Sequence, residues 1–461
     1  MKFPRFVIAA PKSGSGKTLI TTALMQAFKE RGLKISGFKC GPDYIDPMFH
    51  QKVLEIPSRN LDLFFTDERE TLSLFTRSND ASLSIIEGVM GLYDGLDGIR
   101  EEGSTYHLAS TLQCPVILVI DARGMGRSLL AEIQGFADMD RHKIIKGLIL
   151  NNIPKSFYEK ISPLVSEVCK IPLLGFFPNQ KDLQIESRHL GLKLPDEISD
   201  IREMVKRAGK KIEGCVNLDQ LLKIAEGAGE LKKDDEQVSH RGEKVRIGLA
   251  RDEAFCFYYD DNLRLLEKAG AEIVEFSPIH DKKLPENICG LIFGGGYPEF
   301  YAKDLAENQS VMEEIRTGIA EGLPSLAECG GFMYLHKNMT CHDKSLYQMA
   351  AVIDGDCYYT GKLVRFGYAT VKPAASDKKN PEVSDWFGKK GFIKGHEFHY
   401  FDSSKNGQDC LAEKNSGLEY KCGLVDENHF WSFLHLYYPS NPEFAEIFVE
   451  KCRIFQKKGI K

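Results

Sequence analysis

Short, continuously apolar runs alternate with helical patterns in the first half of the chain. Strands that are apolar on both faces are typical of a parallel sheet covered by helices on both sides. This half therefore predicts an α/β fold with a parallel sheet. The predicted strands are residues 6–10, 34–39, 83–87, 115–121 and 145–150, and the first predicted helix is 17–31.

A second α/β series follows a polar segment. Residues 226–244 contain Gly-Ala-Gly and a charged run, without hydrophobic periodicity, which indicates an exposed linker. We predict two α/β domains, 1–225 and 245–461, joined by this linker. In the second domain the predicted elements are strands 245–250, 272–276, 290–293 and 325–328 and helix 260–269.

Composition and charge narrow the class of protein. The 461 residues are 43% hydrophobic and 27% charged, with a net charge of -6, so neither nucleic acid nor an acidic membrane is an expected partner. Twelve cysteines without a C-x-x-C pair favour reduced thiols over disulfides or a zinc site. No apolar run is long enough to span a bilayer, and the first residues lack the apolar region of a signal peptide. We therefore expect a cytoplasmic protein.

A glycine-rich segment follows the first predicted strand and opens the first predicted helix. Its backbone amides and the helix N-terminus attract phosphates, Lys17 would reach the β- and γ-phosphates, and the Thr18 hydroxyl would hold Mg²⁺. Pro11 replaces the usual first glycine, and Lys12 makes the loop similar to those of dethiobiotin synthetase and partition ATPases. The residues predicted to bind ATP are Lys12, Ser13, Gly14, Ser15, Gly16, Lys17 and Thr18.

Two acidic segments are expected at the carboxyl edge of the same sheet, where open α/β folds bind ligands. Residues 40–47 follow the second strand, and residues 87–95 follow the third. Carboxylates at this edge can hold Mg²⁺. The alternative is that the aspartates only cap turns beside glycine and proline. We predict Asp43 and Glu87 as metal ligands with Thr18, and Tyr44, Asp46 and Asp94 as substrate residues.

In the second half, Cys329 lies at a sharp turn between a strand and a helix, in the segment Ala-Glu-Cys-Gly-Gly. The glycines permit the bend, and the helix N-terminus is expected to lower the thiol pKa. Upstream, backbone amides of Gly294, Gly295 and Gly296 would form an oxyanion hole. A general base is required as well, and the residues alone leave three histidines open: His396, His399 and His435.

The ordered motifs resemble the cobyrinate/cobyrate amidotransferase family over nearly the whole chain. The resemblance implies a dethiobiotin-synthetase-like ATP domain followed by a class I glutamine amidotransferase-like domain. It implies Cys329 as the nucleophile and His435 as the residue that raises its nucleophilicity. Class I amidotransferases carry Glu two residues after this histidine, where the chain has Tyr437, so either a Cys–His dyad or an orienting group from elsewhere is expected. The segments that carry the resemblance are 39–47, 87–95, 188–192, 254–259, 294–299, 327–331 and 395–399.

The resemblance also implies a reaction, namely ATP- and glutamine-dependent amidation of the a and c acetates of cobyrinate in cobalamin biosynthesis. Nickel sirohydrochlorin and hydrogenobyrinate are alternative acceptors. Twelve cysteines favour an anaerobic host, and with it the cobalt or nickel acceptor. A partition-type ATPase switch is a remote alternative that would leave Cys329 without a purpose. Two roles stay open for Lys12: an additional contact with phosphate, or a contact across a homodimer.

Overall fold

The computed structural model describes residues 2–77, 79–180, 183, 187–188, 191–192, 200–233, 243–374 and 381–459. The chain divides into two compact units, Met1–Glu236 and Gln237–Lys461. Residues 189–190 of the motif at 188–192, and residues 234–242 of the predicted linker, lie outside the described residues. The bounds 226–244 for the linker, and with them the domain bounds, stay a prediction.

The first unit is built on a parallel sheet. Seven strands of its described part form this sheet in the order β3-β2-β4-β1-β5-β6-β7, and every neighbouring pair is parallel. The predicted parallel α/β fold is thereby confirmed. The strands of this unit are β1 (Arg5–Ala9), β2 (Ile35–Cys40), β3 (Ser58–Leu61), β4 (Leu83–Glu87), β5 (Val116–Asp121), β6 (Ile145–Asn151), β7 (Leu173–Phe177), β8 (Ser187–Arg188) and β9 (Gly191–Leu192).

Helices cover this sheet because they carry apolar stripes. In the first helix, Ile20, Leu24 and Phe28 recur every four residues and are fully buried. Burial of such a side chain contributes about 1.5–3 kcal/mol to stability. The helices are α1 (Lys17–Glu30), α2 (Ile45–Leu54), α3 (Glu68–Thr76), α4 (Thr105–Thr111), α5 (Ser128–Met139), α6 (Lys155–Cys169), α7 (Ile201–Glu213) and α8 (Leu218–Glu226).

The second unit combines a mostly parallel sheet with antiparallel sheets. Within the described residues the main sheet has the order β12-β10-β13-β15-β25-β24, in which only β24–β25 is antiparallel. The strands of the second unit, in all its sheets, are β10 (Val245–Ala250), β11 (Phe255–Phe257), β12 (Ala271–Phe276), β13 (Gly290–Phe293), β14 (Gly295–Gly296), β15 (Ser325–Glu328), β16 (His336–Thr340), β17 (Leu346–Gln348), β18 (Ile353–Tyr359), β19 (Arg365–Pro373), β20 (Ile393–His399), β21 (Phe401–Ser403), β22 (Cys410–Glu413), β23 (Glu419–Cys422), β24 (Leu424–Val425), β25 (His429–Ser432) and β26 (His435–Tyr437).

A mixed sheet, β17-β16-β18-β21, in which β16 and β18 are parallel, and an antiparallel sheet, β23-β22-β19-β20-β26, were not predicted from the sequence. The last strand of the second of these sheets carries His435, which pairs with His396 on β20. The helices of this unit are α9 (Asp260–Ala269), α10 (Ala302–Glu307), α11 (Gln309–Ala320), α12 (Gly330–Leu335), α13 (Pro381–Asp385) and α14 (Pro442–Lys457). Across the described part of the chain, no helix is both long and apolar enough to cross a membrane.

Candidate active site

The loop between β1 and α1 is held in a conformation that requires glycine. Gly14 and Gly16 have φ angles of 76° and 92°, which glycine adopts without steric cost. A β-carbon at Gly16 would also overlap the side-chain amide of Asn151. That amide donates to the Ser15 carbonyl oxygen at 2.8 Å, and the Ser15 hydroxyl donates to the Lys12 carbonyl oxygen at 2.9 Å. Asn151 is the last residue of β6, and its role was not predicted from the sequence. The signal that could have identified it is a polar residue at the end of an apolar strand.

Lys17 reaches across this loop. Its Nζ donates to the carbonyl oxygens of Met90, at 2.6 Å, and of Lys12, at 3.3 Å. Burial and the neighbouring Lys39 ammonium lower the pKa of Lys17 to about 8. A phosphate group bound to this loop would take the place of the two carbonyl oxygens as the partner of Lys17 Nζ. It would also bring a full negative charge to the ammonium group. The Lys12 side chain is exposed, and its predicted roles stay predictions.

Glu87, at the end of β4, is the centre of a buried polar cluster. Its Oε1 accepts from the Thr18 hydroxyl at 2.6 Å and from Lys39 Nζ at 3.0 Å. Lys39 also forms an ion pair with Asp46, and His50 Nε2 lies 3.6 Å from Glu87 Oε2. Burial opposes ionisation, yet Lys39 and His50 hold the pKa of Glu87 well below its usual range. Burial and the Glu87 charge raise the pKa of Asp46.

The other predicted acidic residues are partly engaged in turns. Asp43 Oδ1 accepts the Ile45 amide at 2.8 Å, and Asp94 Oδ2 accepts the Gly91 amide at 2.9 Å. Tyr44 directly follows Asp43, and its side chain is buried. Asp43 lies within electrostatic reach of Lys39, and Asp94 within reach of Lys17. The structure thus brings the predicted metal and substrate residues to one edge of the sheet.

The oxygen donors at this edge fit Mg²⁺. Glu87 Oε2 is buried and has no hydrogen-bond partner among the described residues. Hydroxyl and carboxylate oxygens are the donors that Mg²⁺ prefers, and it usually takes one or two carboxylates together with phosphates and water. The described residues contain no group of three or more His, Cys, Asp or Glu that could hold a metal ion.

In the second unit, Cys329 lies at a strained turn between β15 and α12. Its φ of 45° and ψ of -102° are unfavourable for a residue with a β-carbon. The Cys329 amide donates to the Ser432 carbonyl oxygen at 2.9 Å, which ties the turn to β25. A β-carbon at Gly331 would lie 2.6 Å from the Phe293 carbonyl carbon, and one at Gly330 would lie 2.9 Å from Pro298 Cδ. The two glycines therefore allow the turn to pack against the neighbouring loop.

The thiol of Cys329 is neutral in this environment. Cys329 is 8% exposed. Burial raises the pKa of its thiol, and the nearby carboxylate of Glu299 raises it further. The net pKa of the thiol is therefore raised, contrary to the expected shift toward a reactive thiolate. The Gly330 amide at the start of α12 does lower the pKa, as expected, but burial and the Glu299 charge outweigh this contribution.

The His435 ring lies against Gly295, the middle residue of the glycine run 294–296. A β-carbon at Gly295 would overlap Cε1 of the His435 ring, and the ring stacks on His396 with centroids 4.9 Å apart. Burial, together with nearby His399, lowers the pKa of His435 to about 3. Its imidazole is therefore neutral and can accept a proton. The third candidate base, His399, instead stacks on Phe433 and hydrogen-bonds the Phe401 carbonyl oxygen at 2.6 Å.

The glycine run is only partly available as an oxyanion hole. The Gly294 amide donates to the Tyr258 hydroxyl at 2.9 Å, so it cannot also point at a reaction intermediate. The prediction for Gly294 is therefore corrected: its carbonyl oxygen instead accepts the Gly331 amide at 2.9 Å and holds the turn after Cys329. Gly295 and Gly296 remain the predicted donors.

Two residues of α9 hold the strand that carries His435, and sequence reasoning did not find them. Asn262 Nδ2 donates to the Leu436 carbonyl oxygen, and its Oδ1 accepts the Tyr438 amide, both at 2.8 Å. Tyr437, which stands where class I enzymes have Glu, donates its hydroxyl to Asp261 Oδ2 at 3.2 Å. The available signal was a pair of polar residues in the first turn of an otherwise amphipathic helix.

Comparisons with known proteins agree with both halves of this arrangement. Residues 6–192 match the CobQ/CobB/MinD/ParA nucleotide binding domain, and residues 246–442 match the CobB/CobQ-like glutamine amidotransferase domain. The fold class predicted for each domain is thereby confirmed.

Three curated relatives match almost end to end, and each is a cobyrinate a,c-diamide synthase. The chain is 38% identical over 455 residues to the protein of Picrophilus torridus, covering 98% of the chain and 99% of the relative. It is 36% identical over 459 residues to that of Caldanaerobacter subterraneus, with the same coverage, and 35% identical over 460 residues to that of Priestia megaterium, covering 98% of each. The resemblance inferred from the motifs is confirmed, and the chain belongs to the cobyrinate a,c-diamide synthase family.

Proposed function

We propose that the protein uses ATP and glutamine to convert the a and c acetate carboxylates of cobyrinate into amides, a step of cobalamin biosynthesis. The relatives that match over nearly the full length are named for this reaction. The observation that carries the proposal is that one chain contains two chemically complementary sites. One is a phosphate-binding loop beside buried carboxylates. The other is a cysteine turn whose Gly330 packs against Gly296, while the neutral His435 lies against the adjacent Gly295.

The cysteine site supplies nitrogen. His435, neutral because it is buried, accepts the Cys329 proton as the sulfur attacks the amide carbon of glutamine. Backbone amides of Gly295 and Gly296 stabilise the oxyanion. His435 then returns the proton to the leaving ammonia, and water hydrolyses the thioester to release glutamate. Because thiol and imidazole are both neutral beforehand, the proton transfer accompanies the attack.

The loop site activates the acceptor. Amides of residues 13–18 and the Lys17 ammonium hold the phosphates of ATP, and Thr18 and Glu87 would hold Mg²⁺. When bound, Mg²⁺ neutralises charge on the β- and γ-phosphates. A carboxylate oxygen of the substrate attacks the γ-phosphorus and ADP leaves, which gives an acyl phosphate. Ammonia then displaces phosphate from the carbonyl carbon.

The remaining acidic residues belong to the acceptor end of this site. Asp43 and Asp46 follow β2, and Asp94 lies near Lys17, so all three face the charged groups that surround the phosphates. We assign Tyr44, Asp46 and Asp94 to the substrate and Asp43 to the metal, as the sequence predicts. We do not propose a partition-type ATPase switch, because that function would give Cys329 and His435 no role.

The experiment compares the two sites in one chain. Cys329→Ser is expected to lose glutamine-dependent synthesis and to keep ammonia-dependent synthesis, since only the nitrogen source changes. Cys215→Ser, a partly exposed cysteine of the first unit, is the matched control and is expected to keep both. Loss of both activities in Cys329→Ser, with the fold intact, would contradict the division of labour.

The acceptor is tested separately by product mass. Wild-type protein is given ATP, Mg²⁺ and glutamine with cobyrinate, hydrogenobyrinate or nickel sirohydrochlorin. We expect the diamide of cobyrinate to form with the highest kcat/KM. A preference for either other tetrapyrrole would overturn the choice of substrate and leave the amidation chemistry in place.

A further inference from the structure

The buried carboxyl group of Glu328 connects the two chain segments that carry the cysteine and the histidine. Glu328 ends β15 and directly precedes Cys329. The Tyr438 hydroxyl donates to its Oε1 at 3.3 Å, and the Leu436 amide also donates to this carboxyl group. Leu436 directly follows His435. We propose that Glu328 is a positioning residue that fixes His435 relative to Cys329.

This role explains how His435 is held in place although the glutamate that usually follows the histidine is absent. Tyr437 stands at that position and hydrogen-bonds Asp261, so it cannot supply a carboxylate. The backbone around His435 is held instead from two elements: Asn262 on α9 binds the Leu436 carbonyl oxygen, and Glu328 on β15 binds the Leu436 amide. The strand is thereby fixed on both sides, and the buried charge of Glu397 acts on the His435 imidazole in addition.

The surroundings of Glu328 are uncharged. A small cavity beside Gly294 is lined by Glu328 together with nine described residues, none of which is charged at neutral pH: Phe257, Tyr258, Tyr259, Asn262, Leu263, Leu266, Ile292, Gly294 and Tyr438. The titratable groups that face Glu328 are Tyr438, Tyr258 and Tyr259, together with the adjacent Cys329. Burial raises the pKa of Glu328 to about 8, and it also raises the pKa values of Tyr438, Tyr258 and Cys329.

The carboxyl group is therefore protonated at neutral pH and ionises only above about pH 8. Ionisation places a negative charge next to the nucleophile, and this charge disfavours the negative charge that develops on the sulfur as it loses its proton during attack. A glutamine at position 328 keeps an acceptor for Tyr438 and Leu436 and cannot ionise. The inference rests on the proposed glutaminase activity and predicts an alkaline limit on it.

The experiment measures glutamine hydrolysis by the full-length protein from neutral pH to well above pH 8, with ATP and cobyrinate present. Wild-type kcat is expected to fall tenfold per pH unit above about pH 8, and KM for glutamine to stay constant. Glu328→Gln is expected to lack this fall. The matched control, Glu321→Gln, changes an exposed glutamate of the same unit and should keep the wild-type profile.

Tyr438→Phe gives a second, independent test should Glu328→Gln fail to fold. The Tyr438 hydroxyl stabilises the ionised carboxylate, so its removal is expected to shift the alkaline limit to higher pH. Identical pH profiles for wild type, Glu328→Gln and Tyr438→Phe would overturn the proposal.

Infrared spectroscopy separates this inference from the proposed function. The spectrum of wild type minus Glu328→Gln should contain the C=O stretch of a protonated carboxylic acid at neutral pH, and the band should vanish above about pH 8. A carboxylate band at neutral pH would overturn the inference whatever the activity. A protonated band in a protein that hydrolyses no glutamine would contradict only the proposed function.

Discussion

Gly295 lies directly against the imidazole ring of His435, so that a β-carbon at position 295 would lie 3.0 Å from Nδ1 and overlap Cε1. The backbone of Gly295 does not require glycine, because its φ is not positive. The ring alone therefore excludes a side chain here. Gly295→Ala is expected to displace His435 and to lower glutamine-dependent synthesis by about 10²-fold, the typical cost of a 1 Å misplacement.

The measurement for Gly295→Ala is amide formation with glutamine and with ammonia. The ammonia-dependent rate should stay at the wild-type level. Gly318→Ala is the matched control: it lies in α11, where the new methyl group meets only the flexible end of Leu323. An equal loss with both nitrogen sources would contradict the steric explanation.

Two glycines of the phosphate loop should differ in their tolerance of alanine. Both have positive φ, so alanine costs about 1–2 kcal/mol of strain at either position. Only Gly16→Ala also overlaps Asn151, since nothing lies within 4 Å of the corresponding atom at Gly14. We expect Gly16→Ala to raise the Kd for ATP at least tenfold more than Gly14→Ala, measured by calorimetry. Equal Kd values would show that Asn151 moves aside freely.

Lys39 is expected to be important for stability as well as for the site. Lys39→Met leaves the ionised Glu87 buried without its main partner, and such a loss costs about 3–5 kcal/mol. Urea unfolding of the first unit measures it. Lys39→Met combined with Asp46→Asn should recover part of this loss, because one buried acid is removed. Lys29→Met, which breaks the exposed ion pair with Glu55 and a hydrogen bond to the Leu54 carbonyl oxygen, leaves no charge buried and should cost less, about 1 kcal/mol.

The second unit should lose stability in mild acid. Burial lowers the pKa of four of its histidines, to about 4 for His336 and about 3 for His435: His336, His396, His429 and His435. In the unfolded chain these histidines bind protons near pH 6.5, whereas the folded unit does not. Their contribution is therefore fully present above about pH 6.5 and is lost as pH falls below it, by up to about 1.4 kcal/mol per pH unit for each histidine.

Tryptophan fluorescence can follow this loss, because both tryptophans of the chain, Trp386 and Trp431, lie in the second unit. Denaturant unfolding is measured between about pH 7 and about pH 5.5, above the range where exposed carboxylates titrate. The raised pKa of buried Glu328 makes a contribution of opposite sign, which is the same in wild type and in the His336 variant. His336→Gln should reduce the slope by up to about 1.4 kcal/mol per pH unit, a limit approached at the acidic end of this range. An unchanged slope would mean that His336 binds its proton in the folded protein.

Sequence patterns captured the parallel sheets well because their central strands are buried on both faces. The predicted strands 83–87, 245–250, 290–293 and 325–328 agree with the structure at both ends. The mixed sheet and the antiparallel sheet of the second unit were missed. Their strands are often half-exposed, as in Ile353–Tyr359, and their pattern is weak where bulges and glycines interrupt it.

The site shows the same division. Cys329 and the loop residues stand in motifs whose geometry follows from local sequence. Asn151 and Asn262 act through contacts with distant residues, and a single asparagine in a sequence does not show which backbone group it will bind. The thiol pKa was predicted in the wrong direction for a related reason, since burial is a property of the whole fold.

The buried, protonated thiol of Cys329 has a consequence for the enzyme at rest. Peroxide and other electrophiles consume cysteine through its thiolate, so a thiol that stays protonated is oxidised slowly. Burial thus preserves the nucleophile between turnovers. An enzyme with an ionised cysteine would attack glutamine sooner, but it would also be inactivated sooner in a cell exposed to oxidants.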